Sequence, residues 1–226
     1  MRFRDDIDRV CDLKPDLLII PESEKINLIG RFKLESNGVS DSCWVGDNPN
    51  KGLAIFTFNN FKIKIFRDYV DKYKYILPVT IIKDSISYKV IAVWAKKIGK
   101  IKYTQQLISA LREYENFINN GNIIICGDFN SNLYWKRSGI DNNHQEILNI
   151  LDSKKIYSSY HNYYKEKQGR ESKATYYHYH KKDRPFHIDF CFLSESLLAK
   201  VKNIKILKYD DWINSSDHVP IIVQTD

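Results

Sequence analysis

Short and nearly continuous apolar runs, each leading into an acidic residue, constrain the fold of this chain more than any other feature. Residues 17–20 are followed two positions later by Glu22, and residues 122–126 lead directly through Gly127 to Asp128. A strand buried on both faces of a sheet reads as such a run, whereas a half-buried strand alternates. We therefore expect an α/β protein whose buried strands carry polar groups at their ends.

The rest of the chain alternates between strand-like and helix-like patterns. Residues 103–118 form the clearest amphipathic helix, and residues 144–151 form a shorter one. Residues 53–58 and 62–66 predict a hairpin around Asn59 and Asn60, and residues 157–180 read as a loop rich in Tyr and His. Strands from both halves carry the polar groups, so we expect residues 1–226 to form a single domain.

Composition and charge narrow the class of protein without deciding it. The 226 residues carry a formal net charge of +7 and a pI near 9.0, which favours a polyanionic partner. A lysine-rich and asparagine-rich bias of the genome explains the charge equally well. No signal peptide or membrane-spanning run is visible, and the four cysteines lack zinc-type spacing. We expect a cytoplasmic, reduced and monomeric protein, and the sequence indicates no protein partner.

Three short segments carry acidic, amide and imidazole groups beside apolar strands. They are Gly127-Asp128-Phe129-Asn130, His187-Ile188-Asp189-Phe190 and Ser216-Asp217-His218. Carboxylates bind hard cations, an aspartate can orient a water, and a histidine can neutralise charge on a phosphoryl group. Together they are what metal-assisted hydrolysis of a phosphate ester requires.

The spacing within these segments suggests how the groups cooperate. Asp128 and Asn130 are two positions apart, so an extended backbone would point both to one side and Phe129 into the core. An Asx-rich turn is the alternative, and Asn132 supports it. Asp189 lies inside an apolar strand, where an unpaired carboxylate costs several kcal/mol. We therefore expect Asp189 to orient the imidazole of His218.

These motifs, in this order, resemble the endonuclease/exonuclease/phosphatase superfamily, which has the DNase I-like fold. The resemblance spans most of the chain and includes Thr175-Tyr176-Tyr177 and the strand at residues 51–55. It implies a four-layer αββα sandwich, with two mixed β-sheets flanked by helices and the site at one edge of the sheets.

The resemblance also implies roles for individual residues. Glu22 and Asp217 would bind Mg²⁺ or Mn²⁺, and Asp128 would orient or deprotonate the attacking water. Asn130 would hold the phosphate. His218, paired with Asp189, would stabilise the pentacovalent transition state.

The chain departs from the family pattern in several places. The first strand, whose asparagine helps to hold the metal, is absent before the first helix, and its loss would expose two strand edges. We expect Met1 to be an internal start; if it is the true start, metal affinity should be weak or the site degenerate. Pro21 precedes Glu22 where the family has Gln. Trp94 stands near the family's Asn-containing segment and has no assigned role.

Basic and aromatic residues favour nucleic acid as the substrate. Lys181, Lys182 and Arg184 form a cluster just before the His187 strand, and seven tyrosines lie in residues 157–180. Aromatic rings beside basic groups can stack bases, although loop packing explains any single tyrosine. His187, in place of the family's more common Arg, could contact the phosphate. Our leading hypothesis is a DNA or RNA nuclease; the alternatives are a phosphoesterase of inositol phosphates or phospholipid headgroups, and a weakened nucleic-acid-binding relative.

Overall fold

The computed structural model describes residues 3–135 and 143–226. The strands are β1 (Leu17–Ser23), β2 (Asp41–Asn48), β3 (Lys51–Thr57), β4 (Lys62–Ile65), β5 (Ile76–Lys83), β6 (Ile86–Trp94), β7 (Ile123–Asp128), β8 (Ile156–Ser158), β9 (Tyr176–Tyr177), β10 (Pro185–Phe186), β11 (Asp189–Ser194), β12 (Val201–Ile206) and β13 (Ile221–Thr225). The helices are α1 (Phe3–Cys11), α2 (Ile26–Ile29), α3 (Arg31–Ser36), α4 (Tyr103–Glu113), α5 (Glu115–Ile118), α6 (His144–Ser153), α7 (Ser159–Tyr164), α8 (Glu195–Leu198) and α9 (Tyr209–Trp212).

The strands form one large sheet and several smaller ones. The large sheet has the order β4-β5-β6-β7-β11-β8, and β6 and β7 are its parallel pair. A second sheet has the order β1-β3-β2, while β12 pairs with β13 and β9 pairs with β10. The parallel β6–β7 pair is joined through α4 and α5, because parallel neighbours need a crossover connection.

Three apolar clusters show how these elements are layered. One lies between the sheets, where Leu53 and Ile55 of β3 meet Leu77 of β5 and Val90 of β6. A second packs α4, α5 and α6 on the outer face of the large sheet. A third packs α1, α2 and α3 on the outer face of β3. The order helix, sheet, sheet, helix confirms the predicted αββα fold class.

The smaller sheets end in open edges. Within the described residues, β1 pairs only with β3, and β13 pairs only with β12. In the part of the chain that the structure describes, β1 and β13 are therefore edge strands of their sheets.

Some local predictions need correction. The hairpin around Asn59 and Asn60 is wrong, because β3 pairs with β1 and β2 whereas β4 pairs with β5 in the other sheet. The long helix is divided at Tyr114, whose ψ of 21° leaves the helical range. The segment read as a loop contains β8, α7 and β9. Among the described residues, no helix is long and apolar enough to span a membrane.

Candidate active site

Three side chains form a row across the large sheet, at one end of its inner strands β6, β7 and β11. Asp128, the last residue of β7, lies opposite Asp189 of β11 and is in register with Trp94 of β6. Residues opposite each other on neighbouring strands project from the same face. Trp94 belongs to the cluster between the sheets, so the row faces the second sheet, where β1 carries Glu22.

The backbone that presents Asp128 depends on Gly127. Its φ is +136°, and a Cβ built on it would lie 2.0 Å from the carbonyl oxygen of Val93. Only glycine tolerates both the torsion angle and the close approach of β6.

Asn130 holds the carboxylate of Asp128 from a turn and not from an extended strand. Its φ is +48°, its backbone N–H donates to Asp128 Oδ1 at 2.8 Å, and its Nδ2 donates to Asp128 Oδ2 at 2.6 Å. Nδ2 also donates to the carbonyl oxygen of Ala95 at 3.0 Å. Both amide hydrogens are thus engaged, which corrects the extended reading and makes Asn130 a positioning residue for Asp128. Phe129 is fully buried, as expected.

The structure brings His218 and Asp189 together. His218 Nδ1 lies 2.9 Å from Asp189 Oδ2. Burial lowers the pKa of His218, but the charge and hydrogen bond of Asp189, helped by Asp128 and Asp217, outweigh it and raise the pKa to about 10. The imidazole is therefore a cation at neutral pH, with its other nitrogen, Nε2, free of the contact with Asp189.

Thr175 ties the loop of His218 to the start of β11. Its buried hydroxyl accepts the N–H groups of Ile188 and Asp189, both at 3.1 Å. Its carbonyl oxygen accepts the N–H of Val219 at 2.8 Å. The sequence singled out Thr175 only as part of a motif, and these bonds give the physical reason for it.

Four carboxylates share this edge of the sandwich. Burial, then the neighbouring charge of Asp189, raise the pKa of Asp128 well above its ordinary value, and His218 partly opposes this. Glu22 also contributes to that rise. Next door, burial and then the charges of Asp217, Asp128 and Glu22 raise the pKa of Tyr176. Asp217 and Glu22 therefore act on the same small region as Asp128.

Tyr176 forms one wall of this region. Its ring centroid lies 4.7 Å from that of His218, and its hydroxyl lies 2.8 Å from His178 Nδ1. The neighbouring Tyr177 donates its N–H to the carbonyl oxygen of Asp217 at 2.7 Å. Strand β9 thus fixes the metal-ligand candidate and the histidine from one side.

The donor set suits a hard divalent cation. In residues 3–135 and 143–226, no three His, Cys, Asp or Glu side chains are already arranged to hold a metal. Mg²⁺, however, is usually held by one or two carboxylates with water and substrate oxygens. Glu22 and Asp217 offer two carboxylates in a region that already has a surplus of negative charge. Glu22 lies at a β-bulge with a φ of +64°, and its side chain is 41% exposed.

His187 does not behave as predicted. His187 is buried, its Nδ1 lies 2.7 Å from the carbonyl oxygen of Lys173, and its ring packs on Tyr160 and Phe190. The predicted phosphate contact of His187 is therefore wrong, because its ring is enclosed by other side chains of the protein. Burial also lowers the pKa of His187.

The basic cluster between β9 and β10 divides into paired and exposed groups. Lys182 Nζ is bonded to both carboxylate oxygens of Asp210, at 3.0 and 2.9 Å. Its charge is thus largely compensated within the protein. Lys181 and Arg184 are exposed on the same turn, next to the strand that carries Tyr176.

The buried side chain of Glu171 holds the segment behind the site in place through hydrogen bonds. Glu171 Oε1 lies 2.9 Å from His161 Nε2, and Glu171 Oε2 accepts from Asn132 Nδ2 at 3.1 Å. Asn132 also donates to the carbonyl oxygen of His187 at 2.7 Å. Burial would raise the pKa of Glu171, but the hydrogen bonds from His161 and its neighbours lower it to about 2. No sequence signal pointed to Glu171.

Two lysines beside the row make contacts that the sequence did not predict. Lys51 Nζ lies 2.9 Å from Glu22 Oε2. Lys96 Nζ lies 4.2 Å from the ring centroid of Trp94 and 4.4 Å from that of Tyr75. Burial, then the charge of Lys51, lower the pKa of Lys96. The sequence shows a cluster of lysines after β6, at Lys96, Lys97, Lys100 and Lys102, but the contact of Lys96 with Trp94 was not predictable from it.

Known proteins match this chain by structure. No protein-family model and no curated protein matches it. The 3′ phosphatase NExo from Neisseria, solved with a product DNA hairpin, is 18% identical with a TM-score of 0.76, covering 100% of this chain and 96% of that chain. An AP endonuclease from Archaeoglobus fulgidus is 16% identical with a TM-score of 0.74, covering 100% and 96%.

A third match comes from a different biological setting. The endonuclease domain of TRAS1, a telomere-specific non-LTR retrotransposon, is 14% identical with a TM-score of 0.66, covering 98% of this chain and 90% of that chain. All three are DNase I-like proteins of the endonuclease/exonuclease/phosphatase type. The chain therefore has the DNase I-like fold, as the sequence motifs predicted.

Proposed function

We propose that this protein is a metal-dependent phosphodiesterase that hydrolyses DNA or RNA by in-line attack of an activated water. The observation that carries the proposal is the row of Asp128 and Asp189 with His218 bonded to Asp189 at 2.9 Å. The structural similarity to nucleases, one of them bound to a DNA product, supports the choice of substrate class.

Asp128 is the proposed base. Its carboxylate is held by two hydrogen bonds from Asn130, and burial raises its pKa. A carboxylate with a raised pKa is a stronger base than a solvated one, and a positioned base typically contributes 10²–10⁴-fold to rate. Asp128 would accept the proton of the attacking water.

His218 is the proposed electrostatic partner of the phosphoryl group. Asp189 keeps the imidazole protonated and orients it through Nδ1. The opposite nitrogen, Nε2–H, would donate to a non-bridging oxygen as negative charge develops in the transition state. Preorganised donors of this kind are usually a large term in catalysis.

Glu22 and Asp217 are the residues that would hold Mg²⁺ or Mn²⁺. A divalent ion bound there would supply Lewis-acid stabilisation of a phosphoryl or leaving-group oxygen. To bind the ion, the carboxylate of Glu22 must either turn away from Lys51 or contact Lys51 and the ion at the same time.

The test is nicking of supercoiled plasmid DNA and cutting of labelled RNA with Mg²⁺ or Mn²⁺, with EDTA as the metal-free control. We expect Asp128→Asn and His218→Ala to lower the rate at least 10²-fold. Asp152→Asn, on the exposed side of α6, is the matched control and should leave the rate unchanged. Unaltered cutting by both site variants would refute the assigned roles. Turnover of small phosphoesters without turnover of nucleic acid would refute the substrate class.

A further inference from the structure

Lys96 carries a half-buried ammonium group whose position is fixed by two aromatic rings. Its Nζ lies 4.2 Å from the ring centroid of Trp94 and 4.4 Å from that of Tyr75. Both rings are 3% exposed, so they are rigid parts of the core. A cation over the face of such rings is attracted to them, and the ammonium therefore favours this position.

Lys96 lacks an ion-pair partner in the part of the chain that the structure describes. Among the described residues, no carboxylate oxygen lies within 4.0 Å of its Nζ. The neighbouring acids are paired with other lysines: Glu22 lies 2.9 Å from Lys51, and Lys74 lies 2.5 Å from Asp47 and 3.4 Å from Asp71. If Glu22 turns toward a metal ion, Lys51 also loses its partner.

The position of Lys96 relative to the row of Trp94, Asp128 and Asp189 is informative. Lys96 follows Trp94 and Ala95, and Ala95 is tied to the catalytic corner because its N–H donates to the carbonyl oxygen of Asp128 at 2.8 Å. Trp94 and Asp189 lie on strands separated by β7 alone, which places them roughly 10 Å apart. Lys96 and His218 are therefore on opposite sides of Asp128.

We propose that Lys96, seated on Trp94 and Tyr75 with Lys51 beside it, is a second phosphate subsite. It contacts a backbone phosphate next to the one that is cleaved. This inference rests on the proposed function, because it assigns the substrate as a chain with successive phosphates and not as an isolated phosphoester.

The experiment measures DNA binding as a function of salt. All proteins carry Asp128→Asn to prevent turnover, and the probe is a short fluorescein-labelled DNA duplex followed by anisotropy in Mg²⁺ between 50 and 200 mM KCl. Each phosphate contact adds about 0.9 to the slope of log K against log salt. Lys96→Met should reduce the slope by about 0.9. The ratio of the parent's affinity to the variant's affinity should therefore fall about three- to fourfold between 50 and 200 mM KCl.

Two further variants make the result specific. Lys96→Arg keeps the charge and should retain the parent slope. Lys205→Met removes an exposed lysine of β12 and should also retain it. Binding by the parent with an equal slope in Lys96→Met overturns the subsite and leaves the proposed function standing. Absence of binding by the parent to this duplex and to a labelled RNA of the same length overturns the nucleic-acid function and the subsite with it.

Discussion

Replacing Asp189 with Asn tests the electrostatic core of the site with a change of one atom. The amide keeps the shape of the carboxylate and its place opposite Asp128 in the sheet, but it removes the negative charge next to His218. The pKa of His218 should therefore fall. The same substitution removes the neighbour that, after burial, does most to raise the pKa of Asp128.

The magnitude follows from the two pKa values of His218. The native value of about 10 exceeds the ordinary 6.5 by about 3.5, and each pKa unit is about 1.4 kcal/mol. The net shift therefore corresponds to roughly 5 kcal/mol, and it is what remains after burial has opposed the neighbouring charges. Because 31% of the His218 side chain is exposed, solvent screening reduces this, and we expect about 2–3 kcal/mol from Asp189. The pKa of His218 should then fall by about two units.

The pH dependence has a definite sign. The native protein holds one more proton on His218 than the unfolded chain between pH 6.5 and about 10. The stability that this proton contributes is fully present below pH 6.5 and is lost as the pH rises through 10. In Asp189→Asn, the loss should be complete at a lower pH.

The assay is NMR titration of His218 in metal-free protein, with the Asp152→Asn variant as the matched control. Urea unfolding at pH 6 should show Asp189→Asn to be less stable by the stated amount. An unchanged pKa of His218 in Asp189→Asn, with the fold intact by circular dichroism, would refute the reasoning.

Two substitutions test the scaffold. Gly127→Ala should destabilise the protein by about 3 kcal/mol or more, because its Cβ would meet the Val93 carbonyl oxygen at 2.0 Å; thermal unfolding measures this, and wild-type stability would contradict it. Glu171→Gln should cost about 3 kcal/mol at pH 7, measured by urea unfolding. Since the pKa of Glu171 is lowered to about 2, this contribution is present above pH 4.5 and lost as the pH falls through 2. The variant should lack that acid dependence, and its retention would show that Glu171 is not the cause.

The layers of the fold could be predicted from the sequence because the burial of strands and amphipathic helices determines the spacing of their apolar residues. Residues 17–20 form the first part of β1, residues 123–126 of the predicted run form the first part of β7, and residues 144–151 form most of α6. Which strands pair with each other could not be predicted in the same way. Asn59 and Asn60 do adopt positive φ values of 53° and 67°, yet the strands on either side enter different sheets. Turn chemistry is local, whereas the choice of partner depends on packing across the sandwich.

The same distinction explains which site residues could be found. Asp189 needed a partner because a buried charge is costly, and that argument does not depend on knowing the fold. The phosphate contact predicted for His187 was wrong because the backbone between β10 and β11 is not a continuous strand. The alternation of side chains that such a strand would have is therefore interrupted at His187. Asn130 was placed correctly but in the wrong conformation, because an Asx turn and an extended strand both bring its amide near Asp128.

The charges of the site are arranged in an order that bears on how a phosphate chain could bind. The ammonium of Lys96 lies on one side, the carboxylates of Asp128 and Asp189 lie in the middle, and the imidazolium of His218 lies on the other side. A polyanion is attracted at both ends and repelled at the centre, so its tightest binding requires a cation between Glu22 and Asp217. Substrate and metal should therefore bind with positive coupling, each raising the affinity of the other by the same factor. In the proposed function, Lys51, Lys96 and His218 would hold the chain on either side, and the central carboxylates would act on the cation and the attacking water.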